Sequence, residues 1–361
     1  GYRRGAPARW SSRIFATTSS PTLAEGLTFQ PGVRVENDCQ NCGFTQARIN
    51  GLDGHYSQVL IDSRPVFSAL AGVYGLEQIP SSMIDRVEVV RGGGSALFGA
   101  SAIGGTINII TKEAMSSSAG ISHDLTSIGV SGALDNNTSL NASMVTDDGR
   151  GGVFVFGQKR LRDGYDADGD GFTDIPMINS ITVGTRGHLR VNPFSKIRLE
   201  YHGTKEFRRG GDRLDLPAHE ALIAEQTEHT NNSGSLSYDG QSQDGRQIWN
   251  AYASAQHIRR SSYYGTGKDP NAYGKTTDLT AVFGGQYSYK FDCLLFMPAQ
   301  LTAGLEYNYD DLNDVSFGYD YKTSQKVRIF GSYLQNEWKN ARWSLLAGVR
   351  MDKHSLISQP V

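Results

Sequence analysis

The sequence predicts a small α+β domain followed by an incomplete transmembrane antiparallel β-barrel. Three observations predict it: a composition change near residue 115, alternating segments of ~10 residues beyond it, and an alternation of short and long connections. Gly contributes 42 of 361 residues, and Tyr (17) and Phe (15) outnumber Met (6) and Cys (3). Mean hydropathy is −0.40, and no apolar run approaches the ~18 residues that a spanning helix needs. With 35 Lys+Arg against 37 Asp+Glu, no basic domain stands out, so nucleic acid is not an expected partner.

Residues 1–20 show no clear pattern and are left unassigned. Residues 21–115 mix short elements. Pro21–Phe29 reads as a short helix with Leu23, Ala24 and Leu27 apolar, entering the turn Gln30-Pro31-Gly32. Val33–Val35, Ala47–Asn50, Gln58–Asp62, Ile84–Val90 and Ile107–Ile110 read as short strands of a compact α+β domain, expected to build a four-stranded mixed sheet with short helices.

Residues 116–361 carry only strand signals. Leu279, Ala281, Phe283, Gly285, Tyr287 and Tyr289 alternate with polar neighbours, as do Leu301–Tyr309, Trp343–Val349 and Ile197–Tyr201. A bilayer-crossing strand needs ~9–11 such residues, one face apolar and the other wet. Aromatics at the segment ends (Tyr287, Tyr289, Phe291, Tyr307, Tyr309, Trp338, Trp343) suit interfacial girdles. Val191–Phe194 and Lys339–Arg342 are tight turns, whereas 161–178, 205–230, 259–276 and 310–324 read as long, charged loops. About ten or eleven strands result. An open sheet would leave bare edges in lipid, so the chain reads as a fragment of a longer reading frame. The competing fold is a large soluble β-sandwich.

Ala47–Gly51 with Val59–Val66, and above all Ile79–Pro80, Ile84–Gly92, Ser95–Gly99 and Ala102–Lys112, resemble the plug of TonB-dependent outer-membrane receptors. Gly93 stands where Pro is frequent and Asp85 where Glu is. The energy-coupling box of that family is not visible in residues 1–20. The resemblance implies an α+β plug domain inside the barrel, a location in the Gram-negative outer membrane with its lipid, TonB as partner, and no chemistry on the substrate. The implied substrate is a metal chelate, a ferric siderophore first and cobalamin or haem next. Plug apices around Gly51–His55 and Arg64–Tyr74 would face it, with Asp53, His55, Tyr56, Arg64 and Tyr74 as substrate-facing residues. Arg86, Glu88 and Arg91, charges in an apolar strand, are expected to meet the lumen wall or each other. A passive porin or adhesin would not need residues 79–112, and a soluble calcium-binding β protein would need a closed set of strands.

Other motifs need weighing. Gly92-x-Gly94 lacks the following Gly-Lys-Ser/Thr of a phosphate loop, and Leu97 stands where a dinucleotide fingerprint needs Gly. Cys39–Cys42 is a CxxC without two further nearby ligands for zinc, Cys293 being distant, and without a βαβ setting for redox work; a local disulfide is expected. Asp166, Asp168, Asp170 and Asp174 alternate around Gly169 and Gly171 as in a calcium loop, although Met177 occupies the twelfth position. Further ligands would come from Asp163 or a neighbouring loop. Calcium there is a candidate structural ion, no cofactor being required, and the motif also resembles the calcium-ordered external loop of cobalamin receptors. The cluster Phe207–Arg213 is basic and reads as a solvated tip or an anion site. His55, His219 and His229 stand alone, with no paired-ligand spacing. No nucleophile elbow, triad or carboxylate pair appears, so no enzyme is expected.

Overall fold

A computed structural model describes residues 8–39, 44–64, 71–92, 103–130 and 132–357. The first domain runs β1 (Ala8–Ser11), α1 (Ser12–Thr17), α2 (Leu23–Leu27), β2 (Val33–Cys39), β3 (Phe44–Ile49), β4 (Ser57–Ile61), α3 (Ala71–Gln78), β5 (Ile84–Arg91) and β6 (Gly105–Thr111). Its sheet has the order β1-β5-β6-β4, with β4 and β6 parallel and the other pairs antiparallel. The expected four-stranded mixed sheet is therefore present, but its composition differs in two ways. The edge strand β1 comes from the unassigned residues 1–20, while β2 and β3 form a separate two-stranded sheet.

Alternation explains why β5 and β6 sit at the centre. In Ile84–Arg91, Ile84, Val87 and Val89 point inward, and β6 is buried almost throughout, as a strand covered on both faces must be. Gly105 opens β6 at φ +148, and a Cβ there would lie 2.3 Å from the Val90 carbonyl oxygen, so no other residue fits the β5–β6 junction. The core joins Leu23, Leu27, Ile49, Met83, Ile107 and Ile109 to Phe154 and Phe156 of the following sheet. The two parts thus share one apolar core.

That sheet has eleven antiparallel strands in simple sequence order. They are β7 (Ser118–Ile128), β8 (Ala133–Val145), β9 (Gly151–Arg162), β10 (Met177–Asn192), β11 (Ser195–Gly211), β12 (Ile223–Gln241), β13 (Gln247–Thr266), β14 (Tyr273–Leu294), β15 (Met297–Ser316), β16 (Tyr321–Lys339) and β17 (Ser344–His354). Its edges, β7 and β17, do not pair with each other. Along β14, Leu279, Phe283 and Tyr287 are exposed on the outer face, while Asp278, Val282 and Ser288 are buried on the inner one. Leu199, Leu236, Leu305, Leu334 and Val349 continue the outer apolar band. Inner polar pairs such as Thr182–Thr204 (3.0 Å) and Ser288–Thr302 (2.7 Å) bond across neighbouring strands. Among the described residues no helix is long and apolar enough to cross a membrane; the strands carry the bilayer-facing surface.

The strands are longer than expected. β14 has 22 residues, roughly 70 Å at ~3.3 Å per residue, against a hydrocarbon core ~30 Å thick. The apolar alternation marks only the lipid-facing part. Beyond it the apolar alternation is lost, yet pairing continues, as at Phe207–Glu228 and Glu228–Ser261. Much of the expected long loops is therefore strand. The connections left at that end are 129–132, 163–176, 212–222, 267–272 and 317–320, and the short turns lie at the other.

Candidate functional site

Topology sets the plug's orientation within the wall. β6 leads through 112–117 into β7 at the short-turn end. β4 runs parallel to β6, so the residues before it lie toward the long-loop end and those after it toward the short-turn end. Asp53 and Tyr56 sit on the turn preceding β4, with Tyr56 exposed and its N–H donating to the Asp53 carbonyl at 2.9 Å. They lie toward the long-loop end of the plug sheet. The side chains of His55 and Tyr74, and residues 65–70, lie outside the described residues.

Arg64 does not hold such a position. It follows β4, is buried, and places its guanidinium 5.1 Å from the centre of the Tyr252 ring on β13. Burial, with the neighbouring Arg198 adding to it, pushes its pKa down. The turn that carries it closes through mutual Ile61–Arg64 backbone bonds, which aim Arg64 at the wall.

Of the three charges expected to meet the lumen wall or each other, Arg86 and Glu88 meet each other. Arg86 bonds Glu88 and Asp85 within β5, each at 2.9 Å, and Arg91 donates to the Pro31 carbonyl. The i, i+2 spacing of Arg86 and Glu88 puts them on one face of a strand, where they satisfy each other. Among the described residues, the ion pairs between plug and wall run through four carboxylates that the sequence did not single out. Glu25 pairs with Arg160 (2.7 Å), Asp62 with Arg186 (2.6 Å), Glu77 with Arg208, and Glu113 with Lys196 (2.9 Å). Asp62 also accepts from the Thr111 hydroxyl at 2.7 Å, which locks the β4 turn to β6. Burial works against ionisation of Glu77, but the guanidinia of Arg208, Arg162 and Arg160 outweigh it and hold its pKa at about 2. Burial likewise opposes the charge of Glu113, and Lys196 outweighs it, leaving that pKa below the ordinary value.

At the long-loop end the acidic turn closes on itself. Asp166 accepts from the Gly169 and Gly171 amides (2.7 and 2.8 Å), which hold its pKa below the usual carboxylate range. Asp166, Asp168 and Asp174 bring carboxylate oxygens within 4.8 Å of one another, whereas Asp170 accepts from the Phe172 amide at 2.8 Å. Three converging hard oxygens fit a calcium ion's donor preference, and Asp170 is outside the group. Asp163 accepts instead from the Leu134 amide. The turn is tied to β11, where the Gly211 amide donates to the Thr173 hydroxyl at 2.9 Å.

The basic cluster 207–213 is divided by the strand. Arg208 points inward to Glu77. Arg209 points outward, where its guanidinium donates to the Gly210 and Asp212 carbonyls. Both are 1 % exposed, so the pair is not a solvated tip. His219 bonds the Tyr273 hydroxyl at 2.7 Å, and His229 is buried on the inner face of β12, 4.0 Å from Glu206. Cys293 is exposed as a free thiol; the expected Cys39–Cys42 disulfide falls on side chains outside the described residues.

Comparisons with known proteins agree with this architecture. The TonB-dependent receptor plug domain family matches residues 11–106, and the TonB dependent receptor-like β-barrel family matches 146–359. The vitamin B12 transporter BtuB of Vibrio vulnificus (strain CMCP6) is 25% identical over 95% of this chain and 54% of its own length. BtuB of Vibrio cholerae serotype O1 (strain M66-2) is 36% identical over 26% of this chain and 16% of its own. Among solved structures, the siderophore receptor PirA from Acinetobacter baumannii superposes with a TM-score of 0.81 at 17% identity, covering 97% of this chain and 57% of that one. The ferric citrate transporter FecA does so at 0.76 and 16%, covering 99% and 58%. Those identities speak for the fold alone, and the chain spans about half the length of the Vibrio vulnificus relative. A plug sheet packed on a lipid-facing antiparallel wall, with both halves matching their family, has one reading: the chain belongs to the TonB-dependent receptors.

Proposed function

We propose that this chain is the plug and wall of an energised importer in the Gram-negative outer membrane that takes up a metal chelate. A ferric siderophore is the leading substrate, with cobalamin or haem next. The observation that carries the reading is the plug held against the inner wall by ion pairs, an anchored domain that a passive pore has no use for. Substrate would be captured at the long-loop end, above Asp53 and Tyr56. Pulling by TonB from the short-turn end would then shift the plug. No residue acts on the substrate covalently; the family is one of receptors and transporters. The Vibrio vulnificus relative is named a vitamin B12 transporter, which supports cobalamin, whereas the siderophore receptor PirA and the ferric citrate transporter FecA share the fold. Calcium at Asp166, Asp168 and Asp174 would stiffen the rim of the capture site through Thr173. Growth of a receptor-deleted strain carrying the full-length gene, with ferric chelate, haem or cobalamin as sole source, tests the proposal. Rescue by an oligosaccharide alone would contradict it.

A further inference from the structure

Three buried wall arginines share an arrangement that simple anchoring does not require. Each guanidinium reaches one carboxylate on the plug and a second on the wall. Arg160 holds Glu25 of the plug at 2.7 Å and Asp135 of β8 at 2.5 Å. Arg186 holds Asp62 at 2.6 Å and faces Glu200 of β11 at 3.8 Å, directly across the ladder. Arg208 holds Glu77 and faces Glu206, two residues earlier on its own strand, at 3.5 Å. The side chains of all three arginines are at most 6 % exposed. Glu206 also accepts from Gln78 of the plug at 3.3 Å, so part of its capacity is taken while the plug is seated.

Resting on the importer reading above, we propose that Glu200 and Glu206, with Asp135, are release residues: they receive the wall arginines as the plug carboxylates leave. A buried guanidinium stripped of its only carboxylate is costly, and that cost would oppose any movement of the plug. A second carboxylate within reach turns separation into an exchange of partners. Glu200 and Glu206 stand at long, weak distances in the seated state and have most to gain. At Arg160 the exchange is already half made, since its guanidinium is bidentate on Asp135. The fourth clamp supports the logic. Glu113 follows β6 on the covalent path into β7, where the plug cannot leave the wall. Among the described residues no ion pair joins its partner Lys196 to a wall carboxylate.

The arrangement makes the two partners of one arginine act in opposite directions. In the full-length receptor, Glu200→Gln with Glu206→Gln should slow amide exchange in the 62–64 turn and α3 by about tenfold. It should slow energised uptake of the imported chelate while leaving the Kd for surface binding within about twofold. Asp62→Asn and Glu77→Gln should each speed exchange in the same segments. Glu200→Asp with Glu206→Asp keeps the charges and should restore the parent rates, which separates release from a folding defect. Exchange shifted the same way by both sets of variants, or unchanged in the wall variant, would overturn the assignment. A parent receptor with no energised uptake would remove the importer reading; the exchange comparison would still judge the exchange of partners by the same signs.

Discussion

Replacing Glu77 by Gln removes one charge and leaves shape and hydrogen-bonding capacity nearly intact, so it isolates the electrostatic part of the plug–wall contact. The carboxylate sits at about 2 rather than 4.5 because Arg208, Arg162 and Arg160 surround it. That preference for the ionised form corresponds to about 3 kcal/mol, close to the ~3–5 kcal/mol lost when one partner of a buried pair is removed. Amide exchange in α3 of the full-length receptor, read in detergent near neutral pH, should accelerate by roughly a hundredfold. The pH dependence has a definite sign. A carboxyl with a depressed pKa contributes stability above its unfolded value and loses it as pH falls through its folded one. Protection of α3 in the parent should therefore decline between pH 4.5 and about 2, whereas the Gln variant should show no such decline from this group. Acceleration of less than about threefold, or an unchanged acid profile, would refute the claim that this ion pair holds α3 to the wall.

Other outcomes follow from the same geometry. Gly105→Ala forces a Cβ against the Val90 carbonyl at an unfavourable φ; the plug sheet should lose about 2 kcal/mol or more, read as faster exchange in β5 and β6 with β14 unaffected. Calcium titration of the full-length protein should show a site that Asp166→Ala or Asp174→Ala weakens by about tenfold or more, with Asp170→Ala within about threefold; identical isotherms for parent and variants would remove the ion. Phe283→Arg places a charge on the lipid face and should cost about 2–4 kcal/mol in bilayer refolding. Ser288→Ala, on the inner face of the same strand, loses only the bond to Thr302 and should cost about 1 kcal/mol.

The lipid-facing surface was legible because a bilayer demands apolar residues at every second position, and Leu279–Tyr289 and Leu301–Tyr309 supply them. Strand beyond the bilayer was not, since water imposes no such period and Glu228 or Ser261 reads the same in a loop as in a ladder. The plug strands followed from the run 84–112, whereas β1 is four residues long and becomes a strand only by pairing with β5. The site was legible where it is local, as in the turn 166–174. Adjacent Arg208 and Arg209 looked like one basic cluster, but a strand sends neighbours to opposite faces. The pairs Glu77–Arg208 and Asp62–Arg186 join residues more than a hundred positions apart, and nothing in either local sequence announces the other.

Whether the seated plug is a gate worked by energy is the central question. The most direct measurement is uptake of iron-labelled siderophore and of labelled cobalamin into a receptor-deleted strain carrying the full-length gene, with and without TonB. The account predicts uptake of one of these chelates that disappears when TonB is removed, while binding at the cell surface persists. Uptake that continues at the same rate without TonB would contradict it and make the protein a passive pore.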